Sequence, residues 1–188
     1  MLKPSRTDLV GEHIILRPNS IAFTSQRHAA AMESLATVGK WMPWCYASRT
    51  ETEGFDWYRT CEANWDSSLE HEFSIFDLKR TFAGAAGVNQ LNPVHGFAKT
   101  RILDTRVAPG LWTCGRGCIH SREFGFGALG LRLIEIVTAV DNLPSRRVAE
   151  KVGARFEGIA AHRILMRRVS VDAAMYALLP EVSELAIR

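Results

Sequence analysis

Asn142 and Ser145 are the polar residues whose types and spacing most directly indicate chemistry. They stand just after the β-branched run Leu133 to Val140 and at the start of a helical pattern. An amide at a strand end can hydrogen-bond an extended ligand, and a hydroxyl on a first helical turn can donate a proton to a leaving group. The same positions also suit a turn residue and a cap-region hydroxyl, so the pattern alone leaves both interpretations open.

Two further groups of residues have types that bind ligands. Trp41 and Trp44 bring large aromatic surfaces into a loop where Pro43 breaks any helix, and they either cover the core or line a binding pocket. The segment Cys114 to His120 holds two cysteines and a histidine. Zinc usually takes four ligands, and no second pair with suitable spacing exists, so we predict no metal site.

Composition limits the classes of function open to the chain. Its 188 residues are 47% hydrophobic and carry 23 basic and 20 acidic side chains, for a formal net charge of +3. The basic residues are scattered, which argues against a nucleic-acid surface. Four cysteines without scaffold or ribbon spacing indicate reduced thiols, and no apolar run approaches the roughly 20 residues that span a bilayer. We therefore predict one cytoplasmic domain, residues 1–188, with neither a membrane nor a nucleic-acid partner.

Strand and helix patterns follow one another in an order typical of a mixed α/β sheet. The helix after Asn142 has Pro144 in its first turn and ends at Gly153. No element is predicted between Ala98 and Glu123. The predicted strands are 13–17, 72–77, 82–91, 133–140, 155–159, 163–169 and 173–179, and the predicted helices are 23–38, 51–65 and 144–152.

The segment from Asp141 to Gly158 carries a long motif. It reads DNLPSRRVAEKVGARFEG, which resembles the N-x-x-S-x-x-(V/A)-A-E-K-x-G-(A/F)-x-x-E-G signature of the RimJ/RimL branch of the GCN5-related N-acetyltransferases (GNAT). The segments WMPW, GVNQLNPVH, FGFGALGL and DAAMYALLP extend the resemblance over nearly the whole chain. It implies an α/β (α+β) GNAT fold, in which helices flank a mixed central sheet of six to seven strands.

The resemblance also implies an enzyme that transfers acetyl from its cosubstrate acetyl-CoA to a primary amine. The implied acceptor is a protein N-terminus, such as that of a ribosomal protein, or a small amine, and the resemblance leaves room for a homodimer. Asn142 and Ser145 would contact the pantetheine arm of CoA, and Ser145 would protonate the departing thiolate. The residues implied near the amine are Trp41, Trp44, Asn89 and His95.

The proton acceptor for the amine is open at this level. His95 is either a catalytic residue that takes the proton or a structural histidine. Glu72, Glu157 and ordered water are the other candidates. An amine with a pKa near 8 needs only modest help to lose its proton.

The family's pyrophosphate loop has no clear counterpart in the sequence. Such loops are Gly-rich and open a helix whose N–H groups meet the phosphates. The corresponding stretch, about residues 100–123, contains Pro109 and two cysteines, and it has no sustained helical period. Its one glycine triplet, GRG, is a weak signal. The predicted cofactor-binding residues here are Trp112, Thr113, Cys114, Gly115, Arg116 and Gly117.

Two hypotheses follow from this abnormal stretch. If it forms no phosphate site, the chain is a catalytically impaired module of the same fold that binds CoA poorly or binds a protein partner. Alternatively, residues 100–123 come from a shifted reading frame. Codons for Arg101 to Asp104 can be chosen that, when read one base later, encode Gly-Tyr-Trp, the residues that relatives have here. The gene's own codons would test the second hypothesis.

Overall fold

The computed structural model describes residues 4–104 and 113–180. Its centre is an eight-stranded mixed sheet in the order β1-β2-β3-β4-β5-β6-β8-β7. The strands are β1 (Leu9–Val10), β2 (Ile14–Pro18), β3 (His71–Asp77), β4 (Phe82–Asn92), β5 (Phe97–Asp104), β6 (Leu133–Ala139), β7 (Arg155–Met166) and β8 (Val169–Leu178). The helices are α1 (Thr24–Glu33), α2 (Val38–Trp41), α3 (Glu51–Asp66), α4 (Thr113–Gly127) and α5 (Leu143–Lys151), with a 3₁₀ turn at Ile21–Phe23. No helix in these ranges is long and apolar enough to cross a membrane.

The predicted α/β (α+β) sheet with flanking helices is confirmed, with more strands than the six to seven expected. One addition is β1, a two-residue strand paired with β2 that is too short to show a period-two pattern. Another is β5, which lies mostly in the stretch for which no element was predicted. Two predicted strands merge into β7, because register shifts near Gly158 and between Ala160 and Ile164 keep the strand paired with β8.

Helix α4 also occupies the stretch where the sequence shows no helical period. Its buried side is built largely from small or polar residues, which an apolar pattern does not register. Gly117 lies so close to the sheet that an added Cβ would stand 2.5 Å from Cδ1 of Ile75. Small residues therefore let this helix approach β3 and β4. The buried residues at helical spacing are Thr113, Gly117, Cys118, Ser121 and Phe124.

The two faces of the sheet pack mainly against different helices, except that the end of α3 places Trp65 beside Phe124 of α4. Ile75 of β3 meets Gly117 of α4 on one face. The adjacent Ser74 faces the other way, where its hydroxyl is hydrogen-bonded to Tyr58 of α3 at 3.0 Å. Because side chains alternate along a strand, this pair defines an α4–α5 face and an α1–α3 face.

Candidate active site

Strands β5 and β6 are parallel, and they pair only at their beginnings. The paired segments are Phe97–Lys99 and Leu133–Glu135. Beyond them the strands separate, and Thr100, Arg101 and the segment 136–139 line a cavity of about 290 Å³. Among the described residues no strand fills this gap, so backbone N–H and C=O groups on both facing edges are available to a ligand.

The cavity passes through the sheet where the two strands part. Residues of α5 line it on the α4–α5 face, since α5 packs with α4 over the same core cluster. These residues are Asn142, Ser145 and Val148. Residues on the α1–α3 side that line it are Trp41, Met42 and Asn89. Two ligands can therefore meet in one cavity from opposite faces of the sheet.

The start of α5 positions Asn142 and Ser145. Asn142 is the N-cap, and its Oδ1 accepts a hydrogen bond from the backbone N–H of Ser145 at 3.3 Å. Pro144 in the first turn helps the helix to begin here. Since Oδ1 of Asn142 is engaged, its Nδ2 is the group left to donate into the cavity. Asn142 thus caps α5, and ligand binding by the same side chain stays a prediction.

A row of polar side chains crosses the α1–α3 face beside the cavity. The strand register places Gly87 between Glu72 and Arg101. The Glu72 carboxylate accepts a hydrogen bond from Nδ2 of Asn89 at 3.0 Å and lies 3.9 Å from Nη1 of Arg101. Its side chain is 1% exposed, and this burial raises the pKa of the Glu72 carboxyl. The buried Glu72 carboxylate therefore positions two residues that line the cavity, Asn89 and Arg101.

The β7–β8 turn is tied to α2 across the cavity. Arg167 donates a hydrogen bond to the backbone oxygen of Gly39 at 2.6 Å. Arg167 and Arg168 have φ values of 46° and 71°, the left-handed pair that a two-residue hairpin turn requires. This bond joins the β7–β8 turn to helix α2. The side chains of Met166, just before the turn, and Trp41, at the end of α2, both line the cavity. The hairpin and α2 thus form one continuous wall.

A sequence profile described as the acetyltransferase (GNAT) domain matches residues 13–155. The chain belongs to the GNAT family. In this GNAT chain the match includes β5, α4 and the start of α5, which are the elements that surround the strand separation.

Solved structures resemble this GNAT chain over nearly its whole length. A GCN5-related N-acetyltransferase from Brucella melitensis is 23% identical with a TM-score of 0.80, covering 95% of this chain and 80% of that chain. The ribosomal-protein-S5-alanine acetyltransferase from Vibrio fischeri is 14% identical with a TM-score of 0.82, covering 94% and 98%. RimL, a ribosomal L7/L12 alpha-N-protein acetyltransferase in complex with coenzyme A, is 19% identical with a TM-score of 0.77, covering 91% and 96%. At these identities the likeness is one of fold, and no curated protein sequence matches the chain.

Two of the four residues predicted near the amine, Trp44 and His95, do not line the cavity of the GNAT chain. The ring of Trp44 lies against the guanidinium groups of Arg27 and Arg49, at 4.5 and 5.2 Å. It therefore completes the packing between α1 and the segment before α3. His95 is exposed in the β4–β5 turn, where its backbone N–H donates to Oδ1 of Asn92 at 3.0 Å. Trp44 therefore has the structural role, and the exposed His95 side chain does not line the cavity.

The predicted pyrophosphate residues divide into three groups. The backbone from Thr113 to Arg116, which includes Cys114 and Gly115, forms the first turn of α4. N–H groups of a first turn have no partner within the helix and can meet an anion. Gly117 comes one turn later and serves close packing against Ile75. Trp112 lies outside the described residues.

Lys99 and Arg101 line the cavity and are not among the site residues predicted from the sequence. They follow Phe97 in the segment FAKTR, where alternation places both on the same face as Asn89. The alternating pattern was a usable signal. Alternation indicates a shared face only within a strand, and the sequence predicts no strand in this segment.

Replacing Gly87 by Ala is expected to destabilise the fold by about 2 kcal/mol. A Cβ at this position would stand 2.6 Å from Oε2 of Glu72 and 2.7 Å from its Cα, and the backbone atom cannot move aside cheaply. The matched control is Gly127→Ala in α4, where an added Cβ meets nothing within 4 Å. Urea denaturation of both variants measures the effect, and equal midpoints would contradict the steric role of Gly87.

Proposed function

We propose that this GNAT chain is an acetyl-CoA-dependent N-acetyltransferase that acts on a primary amine. The observation that carries the proposal is the cavity through the sheet, with Ser145 on one side and Trp41 and Asn89 on the other. Direct transfer needs a thioester and an amine held together in a fixed geometry. A cavity lined from both faces of the sheet places the groups for the two substrates beside one another.

Groups of the chain fit acetyl-CoA in three places. The unpaired edges of β5 and β6 offer backbone hydrogen bonds to the amides of the pantetheine arm. Nδ2 of Asn142 adds a donor at the end of β6. The first turn of α4, from Thr113 to Arg116, offers N–H groups suited to the pyrophosphate. Acetyl-CoA supplies an activated thioester carbonyl when it is bound.

Ser145 and the edge of β5 would act on the developing charges. Ser145 is half-buried beside the cavity, and its hydroxyl can donate a proton to a departing sulfur. A backbone N–H on the open edge of β5 can stabilise negative charge on the carbonyl oxygen. These two donors are fixed by a helix start and a strand, so neither must reorganise during the reaction.

Asn89 would orient the amine. Its Nδ2 is committed to Glu72, so its Oδ1 is the atom left to accept a hydrogen bond from an amine N–H. Glu157, another candidate base, is paired with Arg155 at 3.0 Å on the outer strand β7 and does not line the cavity. We assign Glu72 to positioning Asn89 and ordered water to accepting the proton.

Calorimetry with acetyl-CoA and mass spectrometry of a peptide acceptor test the function. We expect acetyl-CoA to bind the folded protein and the peptide to gain one acetyl group at its N-terminus. A folded protein that does not bind acetyl-CoA would overturn the proposal and identify a non-catalytic module of the same fold. The intact mass, measured on the same sample, shows whether residues 100–123 are those of the sequence.

A further inference from the structure

The side chains that line the cavity carry positive charge and no negative charge among the described residues. Lys99 and Arg101 line the cavity, and no acidic side chain lines it among the described residues. A second, more open groove shares Gln90 and Lys99 with the cavity and continues it along β5 and β6. Arg163 adds a cation to this groove, and Glu135 is its one acidic lining residue. The route from the cavity to the surface is therefore mainly cationic.

Two of these three cations have no ion-pair partner among the described residues. Within the part of the chain that the structure describes, neither Lys99 nor Arg163 has a carboxylate within ion-pair distance. Arg101 lies 3.9 Å from Glu72, which is a long contact. Glu72 therefore offsets part of the Arg101 charge, and Lys99 and Arg163 are the two cations without such a partner in the described ranges. A binding surface with unpaired cations is complementary to an anionic ligand.

The position of Lys99 and Arg101 indicates that the anionic ligand is the acetyl acceptor and not CoA. Both side chains lie on the α1–α3 face with Asn89, as the strand register shows. The first turn of α4, which suits the phosphates of CoA, belongs to the opposite face. An amine near pH 7 is itself a cation, and it would be repelled by this wall unless negative charge accompanied it.

We infer that the acceptor is a peptide whose N-terminal amine is followed closely by Asp or Glu, with Lys99 and Arg163 binding the carboxylates. The inference rests on the proposed function and names its substrate class. A peptide fits better than a small amine, because the open groove gives the residues after the first a place to lie against β5 and β6.

A matched pair of peptides tests the preference in the full chain. One has Ser followed by Asp and Glu, and the other has Asn and Gln at the same positions. We expect kcat/KM to be roughly tenfold higher for the acidic peptide, because two partly exposed ion pairs distinguish them. The ratio should fall toward one when salt is raised from about 0.05 M to about 0.5 M, since screening weakens such pairs.

A double variant locates the effect. Lys99→Gln with Arg163→Gln should bring the acidic-to-amide ratio close to one and leave the Kd of acetyl-CoA within about threefold. The control is Arg59→Gln with Lys79→Gln, which removes two exposed cations that line neither the cavity nor the groove. It should keep the full preference.

Several outcomes would overturn the inference while leaving the proposed function intact. These are equal kcat/KM for the two peptides, a large loss of acetyl-CoA affinity in the double variant, and faster acetylation of free aspartate than of the acidic peptide. The second outcome would assign the cations to the CoA phosphates, and the third would make the acceptor a small molecule. Absence of acetyl-CoA binding would instead overturn the proposed function itself.

Discussion

Replacing Ser145 by Ala is expected to lower kcat by about 100-fold, the lower end of what a general acid contributes. The hydroxyl lies on the first turn of α5 beside the cavity, and nothing else in α5 that lines the cavity can donate a proton from a side-chain hydroxyl. Without it the thiolate must leave unprotonated. The Kd of acetyl-CoA should change by less than about threefold, because one hydroxyl is a small part of the contact surface.

Two further variants distinguish proton donation from a structural role. Ser145→Cys keeps a group that can donate a proton and should recover part of the lost kcat. Ser67→Ala removes a hydroxyl from the exposed end of α3, and its kcat should match that of the wild type. If Ser145→Ala retained full kcat, or weakened acetyl-CoA binding as much as turnover, Ser145 would be a contact residue and not an acid.

The stability of the protein is expected to fall by about 3 kcal/mol as pH drops from 6.5 toward 4 because of His71. This side chain is fully buried, and its ring lies 4.8 Å from Trp65 and 5.5 Å from Phe124. Neither ring nitrogen has a hydrogen-bond partner among the described residues. Burial lowers the pKa of His71 from 6.5 to about 4. Below pH 6.5 the unfolded chain therefore binds a proton that the folded chain does not, which favours unfolding.

The variant His71→Phe tests this pH dependence. Phenylalanine keeps an aromatic ring against Trp65 and Phe124 and cannot be protonated, so the loss of stability between pH 6.5 and 4 should shrink by about 3 kcal/mol. Urea denaturation at several pH values measures it. The control, His95→Phe, removes an exposed histidine and leaves the buried one in place. A pH slope that survived in His71→Phe would assign the titration to other groups.

The start of α5 was predictable because its signals are local. Asn142 caps the helix, Pro144 suits its first turn and Gly153 ends it with a φ of 81°. Each signal acts through hydrogen bonds or backbone angles within a few residues. Ser145 was for this reason placed on the correct turn of the correct helix from sequence alone.

Helix α4 was not predictable because its stability comes from elsewhere. Gly117 and Ser121 occupy its buried side, where they add little apolar surface and no helix propensity. Their small size matters only because Ile75 of β3 lies against the helix. The sequence of α4 does not indicate that Ile75 lies against it. Packing on the sheet stabilises the helix although its residues have a weak helix propensity.

By itself, then, the sequence determined the sheet class, most of the elements and the position of Asn142 and Ser145, since these depend on period and on capping along the chain. Tertiary structure alone decided which residues share the cavity. Trp41 and Trp44 are only three residues apart, yet Trp41 lines the cavity from the end of α2 and Trp44 packs on Arg27. The cavity exists because β5 and β6, far apart in the chain, pair briefly and then separate, and such through-space geometry has no local signature.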